Sequence, residues 1–287
     1  MAGQSRKVMI RINATKKTAQ ITKAMNMVSA SRLRQAEKTI KEYRPFIDKA
    51  KEIISNLSSS DESMTHPLLE KRKIEKICFV LVACDRGLAG PFNSNVCKEL
   101  TKQINILDKE YTVLPIGLKA YKYVQKMNYP MLTDNVINIK DDIEFNVVSD
   151  VIKKLVSNYL DHSFDKVVVI YNHYVNTLVQ NVVCETVLPV EKPTNQNQQS
   201  TKIYEFDGGV KEILDTALPI YIENTIYGYF LDSKASEHAS RMNSMKSATD
   251  NAMEVISTLE LLYNRARQAA ITLELTDIVG GASVINE

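Results

Sequence analysis

The residues of this 287-residue chain whose types could do chemistry fall into three groups. Cys78, Cys84, Cys97 and Cys184, with His66, His162, His173 and His238, are metal ligands by type, but they form no CxxC pair and no ligand spacing. Reduced, mostly buried thiols and no metal or other cofactor are expected. The second group is the turn Cys84-Asp85-Arg86-Gly87-Leu88-Ala89-Gly90-Pro91-Phe92-Asn93, which follows an apolar run where a phosphate loop would sit. It is neither GxGxxG nor GxxxxGK[ST], and no Lys follows its second glycine. Pro91 suits a first helical turn, and Asp85 and Asn93 are suited to tying down backbone amides, so a plain strand-to-helix turn is the better reading. Asp141, Asp142 and Glu144 crowd a polar stretch that reads as a solvated loop. No nucleophile with a base beside it can be nominated, so on local chemistry the chain is not an enzyme by itself.

The third group is cationic. Residues 1–36 hold no Asp or Glu but carry Arg6, Lys7, Arg11, Lys16, Lys17, Lys23, Arg32 and Arg34. Eight uncompensated cations seek an acidic partner. A nucleic-acid arm usually adds aromatic residues for stacking, and none occurs before Tyr43. A mitochondrial presequence would precede the fold, whereas the helical pattern begins about ten residues in. A helix facing an acidic protein surface remains the best of the three. The whole chain is nearly neutral, with 36 Lys+Arg against 34 Asp+Glu, which argues against bulk polyanion binding.

These residues must be positioned by long helices. Nine Gly and eight Pro are few for the length and disfavour an all-β chain. Leu33, Ala36, Ile40, Tyr43, Ile47, Ala50, Ile54 and Leu57 alternate by three and four, a heptad seam. Upstream, Ile10, Ala14, Ile21, Ala24 and Val28 follow the same rhythm, but the step from Val28 to Leu33 is five, a slip that would alter the supercoil. Pro45 predicts a bend, not a stop, and 58–67 reads as a closing turn. Near the other end, Thr249, Ala252, Ile256, Leu259, Tyr263, Ala266, Ala270 and Leu273 repeat the pattern, joined upstream by Ala235, Ala239 and Met242. A helix of roughly 60 residues would be on the order of 90 Å long. The two amphipathic helices are expected to cover each other as an antiparallel coiled coil.

Between them the period changes. Strands are expected at 76–84, 111–116, 136–139, 166–171, 178–188 and 203–206, helices at 92–107, 117–127 and 145–160, and an exposed polar loop at 191–202. Continuous Val/Ile runs joined by helical crossovers imply a parallel sheet covered on both faces, with an antiparallel last strand at its edge. The expected fold is α/β: a long antiparallel coiled coil of N- and C-terminal helices with an inserted Rossmann-like, doubly wound α/β domain. Its parts are 1–57, 74–207 and 209–287. The longest apolar run, Ile77–Cys84, is eight residues against about 20 for a bilayer span, and the N-terminus has no apolar core for a secretory signal.

Three segments resemble one family. Lys7–Arg34, containing I-T-K-A-M-N-M-V-S-A-S at 21–31, is similar to the N-terminal helix of the gamma subunit of F-type ATP synthases. Leu262–Ala282, L-Y-N-R-A-R-Q-A-A-I-T-L-E-L-T-D-I-V-G-G-A, resembles its C-terminal signature, and D-R-G-L-x-G with Asn93 resembles its turn after the first strand. Val284 departs from the small or basic residue usual there. The closely spaced cysteine pair of chloroplast members is missing, so no thiol switch is expected.

The resemblance implies a non-catalytic central rotor shaft that carries torque from the proton-driven membrane c-ring to three catalytic beta subunits. Implied partners are the alpha and beta subunits, the epsilon subunit and the c-ring, at one copy per complex. Met25, with Lys23, Arg32 and Arg34, would face an acidic lever loop of beta. Arg267 and Gln268 would meet a polar catch loop, with Thr272 and Glu274 in the same zone. Ile278, Val279, Ala282, Val284 and Ile285 would form an apolar bearing tip. With no transit peptide ahead of the N-terminal motif, a bacterial source and the cytoplasmic face of the inner membrane are expected. Alternatives outside the resemblance are a coiled-coil adaptor or nucleic-acid arm on a Rossmann-like domain, and an unrecognised nucleotide enzyme.

Overall fold

Among the described residues, local pattern becomes structure in nine elements: α1 (Ala2–Leu57), β1 (Lys76–Val82), α2 (Phe92–Ile106), β2 (Glu110–Ile116), α3 (Leu118–Lys126), α4 (Phe145–Leu160), β3 (Lys166–Tyr174), β4 (Gln180–Leu188) and α5 (Val210–Ile285). The computed structural model describes residues 2–57, 66–138, 145–190 and 210–285, without the side chains of 2–4, 55–57, 147, 210, 211, 277 and 280–285. Most of the expected turn at 58–67, the loop at 191–202, the strand at 203–206, and Asp141, Asp142 and Glu144 lie outside the described residues. Contacts divide the chain into two compact units: Met1–Ser29 with Met242–Glu287, and Ala30–Arg241.

In the first unit, segments of α1 and α5 pair antiparallel. Lys16 Nζ meets Glu260 Oε1 at 2.7 Å, Thr22 Oγ1 meets Thr249 Oγ1 at 2.7 Å, and Asn26 Nδ2 donates to the Met242 carbonyl at 2.7 Å. Numbers rise on one helix as they fall on the other. The buried face of α5 is Met245, Thr249, Ala252 and Leu259, with Ile256, Tyr263, Ala266 and Ala270 half-buried, as the spacing predicts; Leu273 is exposed.

The upstream seam of α1 differs from the sequence reading. Ile10, Ile21 and Val28 are each 61% exposed. The covered positions are Val8, Ile12, Thr15, Ala19, Thr22, Asn26 and Ser29, which lead to Leu33 in unbroken steps of four and three. The five-residue slip does not exist. Small polar residues occupy the seam because their hydrogen-bonding groups find partners there: Thr22 and Asn26 bond across to α5, and an inward polar group is tolerated on that condition.

In the second unit, β1 lies between β2 and β3, parallel to both, and β4 is an antiparallel edge, giving the order β2-β1-β3-β4. Alternation sends Ile77, Phe79, Leu81 and Ala83 to one face and Cys78, Val80 and Val82 to the other. The first face is covered by α2 and α3 through Val96, Leu100, Ala120 and Val124. The second packs on α4 through Ile152, Leu155 and Tyr159, and on α5 through a stripe of five residues spaced by four, Leu214, Leu218, Ile222, Ile226 and Phe230. α5 is therefore longer than the 60 residues the heptads suggest, at 76, and runs through Pro219. α1 likewise runs through Pro45.

No strand forms at 136–138. That stretch and its neighbour contribute only isolated bridges, Ile116 with Ile137 and Val113 with Met131, which cover the outer edge of β2. Pro130 offers no amide for a ladder, and its carbonyl accepts from Val113 N at 2.8 Å.

Gly117, just before α3, has φ of +93°, and a Cβ there would stand 2.1 Å from the Ala83 carbonyl oxygen. Gly117→Ala is expected to cost about 1–3 kcal/mol from the backbone conformation alone, with more from the clash. Urea unfolding monitored by circular dichroism checks it; an unchanged midpoint would contradict this role.

Candidate functional site

The turn after β1 is built by side chains that hold backbone. Asn93 Oδ1 accepts from Cys84 N at 3.0 Å, and Asp85 Oδ1 accepts from Leu118 N at 2.8 Å, so Asp85 also serves the start of α3. Both residues tie down amides as the sequence suggests. The turn then offers carbonyl oxygens to α5. Ser240 Oγ donates to the Ala89 carbonyl at 2.6 Å, and Arg241 Nε reaches the Gly87 carbonyl at 3.5 Å. Beside it, Ser236 Oγ donates to the Asn172 carbonyl at 2.8 Å, and Asn172 Nδ2 donates to the Phe92 carbonyl at 3.1 Å. A phosphate cradle needs converging N–H donors; here acceptors face a helix that supplies the donors, which is a clamp.

The clamp contains an ion triad that the sequence reading missed. Glu237 pairs with Lys234 at 2.9 Å and Arg241 at 2.6 Å, and all three side chains are at most 10% exposed. Burial pushes the Glu237 carboxyl up, but the charges and hydrogen bonds of Lys234 and Arg241 outweigh it and hold it below the usual carboxylate range. The i, i+3, i+7 spacing of Lys234, Glu237 and Arg241 was the available signal. Burial, helped by the nearby Glu237 charge, pushes the Cys84 thiol up, which makes it a poor nucleophile. Among the described residues no group of three or more His, Cys, Asp or Glu could hold a metal ion, and no helix is long and apolar enough to cross a membrane.

The second candidate is the helix-pair surface of the first unit. Lys23 is exposed and Met25 half-buried. Arg267, Gln268, Thr272 and Glu274 are exposed, and Ala266 and Ala270 take the seam beside them. Thr272 Oγ1 donates to the Gln268 carbonyl at 3.0 Å. Antiparallel pairing puts Met25 near residue 245 of α5, about 22 residues from Arg267 and so about 33 Å along the helix. The two groups of residues expected to make contacts lie on separate stretches of the helix pair. Arg32 and Arg34 are exposed in the second unit. Ile278 and Val279 are 66% and 68% exposed; the side chains of Ala282, Val284 and Ile285 lie outside the described residues.

Lys16 is compensated by Glu260, a correction to the eight free cations read from the sequence. Among its described residues the same unit exposes fourteen large apolar side chains, including Ile10, Ile21, Val28, Leu261, Ile271 and Leu275, all outside its covered seam. A helix pair with a satisfied interior and an apolar, cationic exterior defines a subunit of a larger assembly.

Comparison with known proteins agrees. The family model described as ATP synthase matches residues 4–285. The ATP synthase gamma chain of Macrococcus caseolyticus (strain JCSC5402) is 42% identical over 279 residues, which cover 96% of each chain. The chain belongs to the ATP synthase gamma-chain family. Its fold is similar to a chain of the Euglena gracilis mitochondrial ATP synthase OSCP/F1/c-ring structure in rotational state 3, with TM-score 0.68, 16% identity, and coverage of 99% of this chain and 95% of that one. A chain of the Tetrahymena thermophila mitochondrial ATP synthase central stalk/c-ring structure gives TM-score 0.62 at 24% identity, covering 79% and 99%.

Glu237→Ala would remove the carboxylate that two buried cations share and is expected to cost about 3–5 kcal/mol. Because the folded carboxyl titrates below its unfolded value, its contribution is present above the ordinary Glu range and is lost as pH falls through the lower, folded value. Urea midpoints of wild type and Glu237→Gln between pH 6 and 3 should therefore converge toward the acid end; a constant gap would contradict the assignment.

Proposed function

We propose that the chain is the central rotor shaft of an F-type ATP synthase, a non-catalytic subunit that carries torque from a proton-driven membrane c-ring to three catalytic beta subunits and so couples proton translocation to ATP synthesis or hydrolysis. One observation supports this most: a helix pair bonded across its own seam that still exposes fourteen large apolar side chains among the described residues, in a chain of the gamma family along nearly its whole length. Exposed apolar surface of this extent is what other subunits cover in an assembly. The unequal faces of the pair would meet the three beta subunits with different contact energies and bias each toward a different nucleotide state.

In this reading the parts 1–57 and 209–287 form the shaft and 74–207 the body that meets the epsilon subunit and the c-ring, with one copy per complex. Met25, Lys23, Arg32 and Arg34 face an acidic loop of beta. Arg267, Gln268, Thr272 and Glu274 engage a polar loop of beta. Ile278 and Val279, followed by Ala282, Val284 and Ile285, ride in an apolar sleeve of the alpha and beta subunits. The protein is held at the cytoplasmic face of a bacterial membrane by its partners; the Macrococcus relative favours a bacterial setting.

Met25→Lys would add a charge-assisted contact of roughly 1.5–3 kcal/mol and deepen one rotary position. Proton pumping in inverted vesicles is expected to fall more than ATP hydrolysis, with assembly intact; equal retention of both would count against the assignment. Arg267→Ala is expected to lower turnover about tenfold, the equivalent of about 1.4 kcal/mol. Wild-type turnover in the assembled complex would remove Arg267 from the contact.

A further inference from the structure

Within the second unit lies a cavity of about 480 Å³ that neither the clamp nor the proposed contacts use. Its size falls in the range of small-molecule sites. Five tyrosines line it: Tyr43, Tyr171, Tyr174, Tyr221 and Tyr229. Tyr171 and Tyr229 are stacked with centroids 4.6 Å apart and planes at 22°. The Tyr43 hydroxyl donates to Asn224 Oδ1 and that of Tyr174 to Glu37 Oε1, so their rings are held in place before any ligand arrives. Such walls favour a flat aromatic group.

The polar lining sets the charge. Arg44 and Lys51, two helical turns apart on α1, both line the cavity, are exposed, and form no ion pair among the described residues. Asp48 lies between them and Asp232 opposite. Asp232 is already engaged: its carboxylate accepts from Tyr174 N at 3.0 Å and bonds His173 Nδ1. Asp48 has no such partner and opposes an anion.

We propose that this cavity binds a small planar aromatic anion, its ring against the tyrosine walls and its acid group at Arg44 and Lys51. The ligand would tie α1 to β3 and α5 inside the second unit. The proposal is independent of the rotor reading.

The test is calorimetric titration of the full chain with 2-naphthoate. Saturable one-site binding is expected. R44Q/K51Q should weaken it about tenfold or more, D48N should tighten it severalfold, and K119Q/K122Q, an exposed pair on α3, should leave it unchanged. Naphthalene-2-carboxamide, the same ring without the charge, should bind about tenfold more weakly than the carboxylate. Arg44 and Lys51 are exposed, so an unchanged melting temperature for R44Q/K51Q verifies that the fold is kept. No saturable heat at millimolar naphthoate, or binding that R44Q/K51Q leaves intact, would overturn the proposal.

Discussion

The closeness of two helices in the first unit depends on the smallness of what lies between them. Ala19, Thr22 and Ser29 on α1 are covered, as are Thr249 and Ala252 on α5, and interhelical distance follows the size of facing side chains. Where the seam is polar it is bonded: hydroxyl to hydroxyl at Thr22–Thr249, amide to carbonyl at Asn26–Met242. A seam of large apolar residues would maximise burial. A seam of small, bonded residues instead fixes register, because a shift by one turn leaves these groups without partners. Ile12, Met245 and Leu259 are the large apolar residues the seam does bury, while Ile10, Ile21, Val28 and Leu261 among others are left on the outside, which is where surrounding subunits would use them.

The second unit solves a related problem with charge. α5 crosses the end of the sheet through a stretch, 231–241, that is covered almost throughout and contains Lys234, Glu237 and Arg241. A buried ion triad is a weak source of net stability, and here both cations share one carboxylate, so removing Glu237 strips the pairing from Lys234 and Arg241 together. Ser236, Ser240 and Arg241 satisfy the carbonyls of Asn172, Ala89 and Gly87. The helix is thereby keyed to one position on the sheet. The turn that resembles a phosphate loop in its glycines is consumed by this keying.

Much of the architecture was legible because it rests on periodicity. The parallel strands β1 and β3, the antiparallel edge β4, the helices α2 and α4 and the lower seam of α1 all follow from apolar spacing. The upper seam of α1 was not, because hydropathy favours Ile10, Ile21 and Val28 over Thr15, Thr22 and Ser29, and only pairing with another helix makes the latter inward. The heptad spacing of 8, 12, 15, 19, 22, 26, 29 and 33 was in the sequence, hidden by polarity. The Lys234–Glu237–Arg241 triad was hidden similarly, since a charged triplet at helical spacing reads as a solvated face until tertiary contacts bury it. The short strand expected at 136–139 yields only bridges, as a few apolar residues beside Pro130, Asp134 and Asn135 cannot sustain a ladder. For the outward residues, Arg267 and Gln268 above all, exposure follows from their seam neighbours, whereas what would contact them is not written in this chain.

The central claim is that the helix pair of the first unit turns as one body. A disulfide engineered as T22C/T249C, where the native hydroxyls are 2.7 Å apart, tests it most directly in the assembled complex. If the pair is a single mechanical element, oxidised complexes keep proton-driven ATP synthesis at the rate of reduced ones. Loss of synthesis on oxidation, restored by reduction, would mean that the helices must slide or unwind past each other to work, and would contradict the claim.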